Sequence, residues 1–322
     1  MTKIRVGVVG LGVMGRHHFR VLDEDENFDL VGVYDPSFSQ SNYRGVSNFA
    51  DLESLLELKL DYCVISVPTV HHSSIFEEVT KSCSCVLIEK PVANNSSEAQ
   101  KMIELSQARR IMAGVGHVER FNPAIRLMRD LIRQDHVGEV IQVTSRRQGP
   151  YPQRIQDVGV VKDLATHDID ITQWVTGSKY SEISAYVRTM SNSLHEDLLS
   201  ASGTLESGTL FNHVVNWRYP IKERVVSILG TKGALVADLL TSDLTYFENG
   251  SEPTSWGQMS LLRGNSEGSS IKFAVNKIEP LKLEHFAMRN YLLTGSSQDI
   301  VTLEQGLENI KVAERMIFGA MK

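Results

Sequence analysis

The stretch Gly10-Leu11-Gly12-Val13-Met14-Gly15 decides the fold of the first part of this chain. It follows a short apolar run, Ile4 to Val9, and it opens a helical stretch, Met14 to Asp23. A strand, a glycine-rich turn and a helix in this order are typical of a dinucleotide-binding βαβ unit. Further strands and helices alternate up to about residue 120, which predicts a doubly wound parallel sheet with right-handed crossovers.

Each glycine of this turn has its own reason to be there. Gly10 allows the tight turn, Gly12 lets a pyrophosphate approach the backbone, and Gly15 lets the helix pack closely on the strand. The helix N-terminus, which includes Val13 and Met14, offers free N–H groups and the positive end of a dipole to phosphates. We therefore expect these five residues to bind the cofactor.

An acidic residue follows the next predicted strand, Leu30 to Tyr34. This residue, Asp35, lies 20 positions after Gly15, where a carboxylate can accept hydrogen bonds from the adenosine ribose. Its charge would repel a 2′-phosphate of roughly two negative charges, and the nearest following cation is Arg44. The sequence therefore favours NAD as the cofactor, with NADP as the alternative.

The length of 322 residues exceeds what one hydrophobic core usually serves, so we expect two domains. The pattern changes from alternating strands and helices to mostly strands after about residue 120. We therefore predict a Rossmann domain over residues 1–120 and an α/β domain over residues 121–322. The closing helix, about residues 303–321, has apolar residues at helical spacing and could pack back on the first domain.

The second half reads as a large, mostly antiparallel open sheet with an inserted helix, Val161 to Val175. Hairpin signals stand at Ser207-Gly208 and at Gly230-Thr231-Lys232-Gly233. An earlier helix is predicted from Pro123 to Gln134. The polar, Gly- and Ser-rich stretch from Ser251 to Ser270 predicts an exposed loop.

The bulk composition argues against several classes of partner. The formal net charge of −6 gives no general attraction to nucleic acid or to anionic lipid. No window approaches the roughly 20 apolar residues of a membrane span, and the first residues predict no signal peptide, so we expect a cytoplasmic protein. The three cysteines, Cys63, Cys83 and Cys85, have no accompanying ligand cluster, which predicts free thiols and no metal site.

A second motif, Glu89-Lys90-Pro91, follows the predicted strand Val86 to Ile88. Ligands of a doubly wound sheet bind outside the carboxyl ends of its strands, so a lysine here would face the cofactor crevice. Pro91 restricts the backbone of Lys90 to extended conformations. A Lys-Pro pair at a strand end is also a common turn, so this motif alone does not decide the function.

A third motif is Asp163-Leu164-Ala165-Thr166-His167-Asp168. Asp163 and His167 are four residues apart, so on a helix they would share one face. A carboxylate beside an imidazole can orient it as a proton acceptor. The same spacing also fits an ordinary pair on a helix surface.

Taken together, the glycine turn, Glu89-Lys90-Pro91 and the pair Asp163 and His167 resemble the Gfo/Idh/MocA oxidoreductase family. Pro68-Thr69-Val70-His71-His72 resembles the family's proline-containing loop, with Thr69 where asparagine is usual. The resemblance implies catalytic roles for Lys90, His167 and Asp163. It also implies cofactor contacts by Pro68, Thr69, His72, Glu89, Lys90 and Arg120, and substrate contacts by Lys90, His117, Arg154, Asp163 and His167.

The segments Gly116 to Pro123 and Asp157 to Asp170 look closest to UDP-N-acetylglucosamine 3-dehydrogenases within that family. This resemblance implies an NAD-dependent oxidoreductase that acts on the 3-hydroxyl of a UDP-N-acetyl sugar. Arg146, Arg147 and Arg154 could bind its diphosphate, and the alternative is that they form a solvated basic loop. The alternatives are an inositol or free-sugar dehydrogenase, a ketosugar reductase, and an NAD-binding regulator without turnover. The family's open sheet often mediates oligomers, so we expect a homodimer or homotetramer.

Overall fold

The computed structural model describes residues 3–152, 158–190, 194–250 and 267–319. The chain divides into two compact units. The first consists of Met1–Val118 with Glu279–Glu314, and the second of Glu119–Ile278 with Arg315–Lys322. The first passage between units, after Val118, lies near the boundary expected from the sequence. Residues 279–314 group with the first unit, whereas the sequence predicts them in the second domain, with only the last helix returning to the first.

The first unit is built on a five-stranded sheet in which every neighbouring pair of strands is parallel. The strands in spatial order are β2 (Phe28–Tyr34), β1 (Ile4–Val9), β5 (Tyr62–Ile65), β6 (Cys85–Glu89) and β7 (Met112–Gly116). A two-stranded hairpin is formed by β3 (Asn42–Tyr43) and β4 (Val46–Ser47). The helices are α1 (Val13–Glu24), α2 (Leu52–Leu56), α3 (His72–Val79), α4 (Ser96–Arg109), α7 (Pro280–Thr294) and α8 (Leu303–Gly319), of which α8 passes into the second unit at Arg315. The doubly wound parallel sheet predicted from the sequence is therefore confirmed.

The strand order of the first sheet reverses at β1. Because β2 and β5 flank β1 on opposite sides, the connection after β1 leads toward one edge of the sheet and the connection after β2 leads back toward the other. Ligands of doubly wound sheets bind at such a point, outside the carboxyl ends of the strands. The core of this unit contains fully buried apolar side chains from the central strands and from helices α3 and α4, among them Val9, Ile65, Phe76, Ile88 and Met102.

The second unit is built on an eight-stranded, mostly antiparallel sheet, as the sequence predicts. Its strands in spatial order are β15 (Glu267–Lys272), β14 (Asp243–Asn249), β13 (Gly233–Asp238), β12 (Glu223–Gly230), β8 (Val140–Gln148), β11 (Leu210–Asn216), β10 (Leu198–Leu205) and β9 (Tyr180–Arg188). Only the pair β8 and β11 is parallel. Two helices, α5 (Pro123–Arg133) and α6 (Thr166–Thr176), pack on one face over a core that includes Ile125, Met128, Val143 and Ile228.

Two expectations about the second half need correction. Residues 251–266 of the predicted loop lie outside the described residues, but Glu267–Lys272 is a strand and not a loop. Its polar sequence is tolerated because β15 lies at the sheet edge, where backbone pairing with β14 suffices. The helix Pro280–Thr294 was also missed, although a proline in its first turn is a start signal.

Candidate active site

The glycine turn has the geometry that a dinucleotide site requires. Gly10 has a φ of +96°, and a Cβ there would stand 2.3 Å from the carbonyl oxygen of Ser66. A Cβ at Gly15 would stand 2.0 Å from the carbonyl oxygen of Gly10. Only glycine fits both positions, because any side chain would overlap backbone atoms that have no room to move.

Gly12, the remaining glycine of the turn, is free of such crowding. A Cβ at Gly12 would meet nothing within 4 Å, and Val13 next to it is exposed. Gly12 precedes the first turn of α1, where backbone N–H groups have no partner inside the helix. The open space above a helix N-terminus suits a phosphate group, so these residues fit the pyrophosphate of a nicotinamide dinucleotide.

Asp35 lies at the carboxyl end of β2, as the sequence predicts for the ribose-binding acid. Its Oδ2 accepts a hydrogen bond from the Leu11 N–H at 2.6 Å, and its Oδ1 accepts one from the Ser37 N–H at 2.8 Å. Partial burial opposes ionisation of Asp35, but hydrogen bonds from Ser37 and Leu11 outweigh it and lower the pKa of this carboxyl. Asp35 is therefore a carboxylate at neutral pH and is tied to the glycine turn.

His72 connects the loops that follow β5 and β6. Its Nδ1 lies 3.0 Å from the Pro91 carbonyl oxygen, and its Nε2 lies 3.0 Å from the Val67 carbonyl oxygen. The ring is buried, and burial lowers the pKa of His72, so the neutral imidazole donates to one of these carbonyls. His72 thus links the two loops by hydrogen bonds. In the segment between β5 and His72, Pro68 is exposed and Thr69 is buried. Contacts of these three residues with a cofactor stay a prediction.

Lys90 follows β6 directly, and its peptide bond to Pro91 is cis. The Lys90 N–H donates to Oε2 of Glu89 at 3.0 Å. Burial opposes ionisation of Glu89, but a hydrogen bond from His18 outweighs it, so the pKa of Glu89 is lowered and the side chain is a buried carboxylate. The strand end therefore presents a half-exposed lysine whose backbone is fixed by an ionised neighbour.

Asp163 and His167 stand on one helical segment of the second unit. Asp163 belongs to a π-helical turn, Val161–Ala165, and His167 to the first turn of α6. Both side chains are half-exposed. The helix expected from Val161 to Val175 is therefore present, but the wider π turn alters the angle between the two residues from that of a regular helix.

Two residues that sequence reasoning missed anchor this helix. Asp168 lies 3.0 Å from the Arg147 Nε, and Asp170 accepts from the Arg120 Nε and Nη2 at 2.7 Å each. All four side chains are buried. Burial raises the pKa of Asp168, opposed by Arg147. The available signal was the alternation of acids with isoleucine in Asp168-Ile169-Asp170. Acidic side chains beside apolar ones on a helix indicate burial, and a buried carboxylate needs a buried cation as its partner.

These ion pairs bear on two residues assigned from the sequence. Arg147 also donates to Glu119 at 2.8 Å, so two carboxylates balance its charge and it is not the diphosphate ligand that the sequence suggests. The role of Arg120 toward a cofactor stays a prediction beside its bond to Asp170. His117, at the end of β7, is buried, and its Nε2 lies 3.3 Å from Nδ2 of Asn309. Arg154 lies outside the described residues.

In the described part of the chain, no group of three or more His, Cys, Asp or Glu side chains could hold a metal ion. None of the helices in this part combines the length and the apolar character that crossing a bilayer requires. The three cysteines are free and buried.

The fold and the glycine turn define a dinucleotide-binding protein of the α/β class. Residues 4–117 match the model of the Gfo/Idh/MocA oxidoreductases, which is described as an NAD-binding Rossmann fold. Residues 125–236 match the model of the C-terminal domain of the same family. The chain therefore belongs to the Gfo/Idh/MocA oxidoreductase family.

Two curated relatives are enzymes that act on sugars or polyols. UDP-N-acetylglucosamine 3-dehydrogenase of Acidithiobacillus ferrooxidans is 29% identical over 216 residues, which is 66% of this chain and 66% of that enzyme. Inositol 2-dehydrogenase of Corynebacterium glutamicum is 25% identical over 230 residues, which is 66% of this chain and 67% of that enzyme. The match to the first of these spans slightly less than two thirds of its length.

Solved structures show the same fold over nearly the whole chain. UDP-N-acetylglucosamine 3-dehydrogenase GnnA from Acidithiobacillus ferrooxidans superposes with a TM-score of 0.85 at 23% identity, covering 99% of this chain and 98% of that chain. A super-repressor mutant of Gal80p from Saccharomyces cerevisiae superposes with a TM-score of 0.81 at 18% identity, covering 99% and 96%. At these identities the likeness extends to the fold alone.

Proposed function

We propose that this protein is an NAD-dependent dehydrogenase that oxidises a secondary hydroxyl of a sugar, namely the 3-hydroxyl of a UDP-N-acetyl sugar. The observation that carries the proposal is the position of Lys90 at the carboxyl end of β6, in the same sheet whose β1 ends in the glycine turn. The relative from Acidithiobacillus ferrooxidans supports the choice of substrate. The same residues serve oxidation and the reverse reduction of a ketosugar, because a reaction path is the same in both directions.

The cofactor would be held by the residues whose geometry fits it. Gly10, Gly12 and Gly15 leave room for the pyrophosphate, and the carboxylate of Asp35 would accept the ribose hydroxyls. NAD, when bound, supplies the hydride acceptor. The choice of NAD over NADP follows from the negative charge of Asp35, which repels a 2′-phosphate.

The protein's own side chains would handle the proton of the substrate hydroxyl. We assign His167 as the base and Asp163 as the residue that orients it. Lys90 would donate a hydrogen bond to the same substrate oxygen, since an ammonium is ordinarily a cation and a donor. In the converse assignment Lys90 removes the proton and His167 polarises the oxygen.

Formation of NADH is followed at 340 nm with a panel of UDP-N-acetylglucosamine, inositols and free sugars. We expect turnover with the UDP sugar, and a loss of about 10²- to 10⁴-fold in kcat in Lys90→Ala and in His167→Ala. NAD binding, measured by quenching of protein fluorescence, should survive in both variants. The matched control is Lys101→Ala, which removes an exposed lysine of α4 and should leave kcat unchanged.

The panel also decides between the proposal and its alternatives. Turnover with inositol but not with UDP-N-acetylglucosamine would assign the chain to the inositol dehydrogenases, in line with the relative from Corynebacterium glutamicum. Bound NAD with no turnover on any member would favour a regulator, as the fold shared with Gal80p allows. Normal kcat in either Lys90→Ala or His167→Ala removes that residue from the mechanism.

We further propose that the large sheet binds a second copy of this chain. On the face opposite the helices, every second strand of the sheet exposes apolar side chains, namely Tyr186, Val214, Leu210, Leu229 and Phe247. The strand register places them on one face, because Leu210 and Leu229 both stand beside Gln142 and Val214 stands beside Ser200, which pairs with Tyr186. An exposed apolar face of this kind marks an interaction surface.

A further inference from the structure

A chain of four buried polar side chains crosses the first unit. Oε1 of Glu89 lies 2.9 Å from Nε2 of His18, and Nδ1 of His18 lies 3.0 Å from Nε2 of His285. Nδ1 of His285 lies 3.0 Å from the hydroxyl of Tyr62. These residues come from β6, α1, α7 and β5, and each is at most 6% exposed. Four separate elements therefore meet in one hydrogen-bonded row.

The two ends of this row limit where its protons can stand. Burial raises the pKa of Tyr62 well above 10.0, so its hydroxyl keeps its proton beside Nδ1 of His285. Burial, followed by the neighbouring His18, holds the pKa of His285 well below 6.5, so the ring of His285 is neutral and carries one donor and one acceptor nitrogen. Because Glu89 is a carboxylate and can only accept, Nε2 of His18 carries the proton of the hydrogen bond between them.

The row ends at a residue that is fixed against Lys90. Oε2 of Glu89, the oxygen not used by His18, accepts the backbone N–H of Lys90. On the other side of the carboxylate lies Gly116 of β7, where a Cβ would stand 3.3 Å from both Cδ and Oε2 of Glu89. The side chain of Glu89 is thus held by a donor at each oxygen and by close packing with the neighbouring strand.

The charged surroundings of Glu89 are compatible with its ionised state. Lys90 and His18 favour the carboxylate, and the ring of His72 on α3 lies close enough to sense its charge. Glu284 on α7 is buried, and both of its carboxyl oxygens have no hydrogen-bond partner among the described residues. Burial first, and the charge of Glu89 second, raise the pKa of Glu284, so it is a neutral acid that adds no second negative charge.

We propose that Tyr62, His285 and His18 are positioning residues that act through Glu89 to hold Lys90 in place for the reaction. The row has no solvent end, because Tyr62 is fully buried, so it orients Glu89 and does not conduct protons to water. The inference rests on the proposed function, since it takes Lys90 as the residue that contacts the substrate.

The first test is the tautomer of each histidine, read from the ¹⁵N shifts of histidine-labelled protein with assignments from His18→Gln and His285→Gln. We expect a proton on Nε2 of His18 and a neutral ring at His285 at pH 7. An unprotonated Nε2 at His18, or an imidazolium at His285, would overturn the row, whatever the enzyme's activity. The shifts that decide the test are those of the wild-type protein, and the two variants serve only to assign them.

The second test removes one hydroxyl at the far end of the row. Tyr62→Phe leaves Nδ1 of His285 without its hydrogen-bond partner, so that the row no longer holds either imidazole from this end. We expect kcat with UDP-N-acetylglucosamine to fall about tenfold and its pH profile to shift, while the KM for NAD stays unchanged. The matched control is Tyr180→Phe, which breaks another buried Tyr–His bond, to Nε2 of His213, and should leave both kcat and the profile as in wild type.

The outcomes separate the two proposals. Normal kcat and an unshifted profile in Tyr62→Phe, with turnover lost in Lys90→Ala, would overturn the positioning role alone. Normal turnover in Lys90→Ala would overturn the proposed function. Equal losses of kcat in Tyr62→Phe and Tyr180→Phe, with equal losses of thermal stability, would reduce the row to a structural contribution and also overturn the inference.

Discussion

The carboxylate of Glu196 occupies the space that a side chain at Gly159 would need. A Cβ at Gly159 would stand 2.1 Å from Oε1 of Glu196, and this oxygen accepts the N–H of Val161 at 3.1 Å. The backbone carbonyl of Glu196 accepts the N–H of Val160 at 2.9 Å. Glu196 therefore satisfies donors at the start of the helical segment that carries Asp163 and His167.

Gly159→Ala should weaken catalysis without touching the cofactor site. The added methyl group displaces Glu196, and the first turn of the segment loses its acceptor and shifts. We expect kcat to fall roughly tenfold, with the dissociation constant for NAD unchanged, measured by steady-state kinetics and fluorescence quenching. Glu196→Gln keeps an acceptor and should retain most activity. Wild-type turnover in Gly159→Ala would show that the position of this turn does not matter for the reaction.

Gly12→Ala and Gly15→Ala should separate cofactor binding from folding. A Cβ at Gly12 meets nothing within 4 Å, so we expect a melting temperature near that of wild type but NAD binding weakened at least about tenfold, because the methyl group takes the space of the pyrophosphate. A Cβ at Gly15 overlaps the Gly10 carbonyl, so this variant should lose roughly 1–3 kcal/mol of stability or more. Calorimetric titration and thermal unfolding measure the two effects. Tight NAD binding by Gly12→Ala would contradict the assignment of this turn.

Asp35→Asn should relax the discrimination between the two dinucleotides. The wild-type carboxylate repels the 2′-phosphate of NADP, and the amide does not. We expect wild type to bind NAD at least about tenfold more tightly than NADP, and the variant to narrow this ratio mainly through tighter NADP binding. The comparison is a pair of titrations at fixed ionic strength, since salt screens the repulsion. An unchanged ratio would mean that another residue sets the preference.

His213 should make the protein less stable in mild acid. Its ring is fully buried between Ser145 and Tyr180, and burial lowers the pKa of His213 from 6.5 to about 3. The unfolded chain binds a proton below about pH 6.5 while the native state does not, so stability is full above that pH and falls toward pH 3. Between pH 7 and pH 5 this group should remove about 2 kcal/mol. Urea unfolding of His213→Gln should show a correspondingly smaller loss of the free energy of unfolding between these two pH values. Identical losses in wild type and variant would exclude His213 as the cause of the pH dependence.

The exposed face of the large sheet should govern self-association. Leu210→Glu and Leu229→Glu each place a charge on that face, on either side of Gln142, so we expect the mass from light scattering to fall to that of one chain. The control is Leu293→Glu, which replaces an equally exposed leucine of α7 in the first unit. A wild-type protein that is already monomeric would contradict the proposed surface.

Local patterns predicted the fold well because its elements follow simple rules. The nucleotide-binding unit can be recognised within some 30 residues, from the run Ile4 to Val9 that ends at Gly10 and from the acid at position 35. The hairpins at Ser207-Gly208 and residues 230–233 are equally local, and both are present. The edge strand β15 escaped prediction because its pairing, not its composition, makes it a strand.

The residues that support the candidate site could not be predicted from the sequence, because their contacts join distant segments. His18 and His285 are 267 positions apart, and nothing in either neighbourhood indicates that their rings touch. Arg147 and Asp168 look like separate surface charges in the sequence, yet they form a buried pair. Contacts of this kind depend on how distant segments pack, which periodicity does not encode.

Most of the second unit, Glu119–Ile278, is inserted between two parts of the first, because the chain leaves the first unit after Val118 and re-enters it at Glu279; Arg315–Lys322 group with the second unit again. A gene fragment that stops near codon 120 would therefore encode an incomplete nucleotide-binding domain, without α7 and its His285. In such a fragment His18 and Tyr62 would lose His285, the hydrogen-bond partner that they share. Their polar atoms would then be buried without that partner or exposed to water. Expression of the isolated domain calls for residues 279–314 to be joined back by a short linker in place of the insertion.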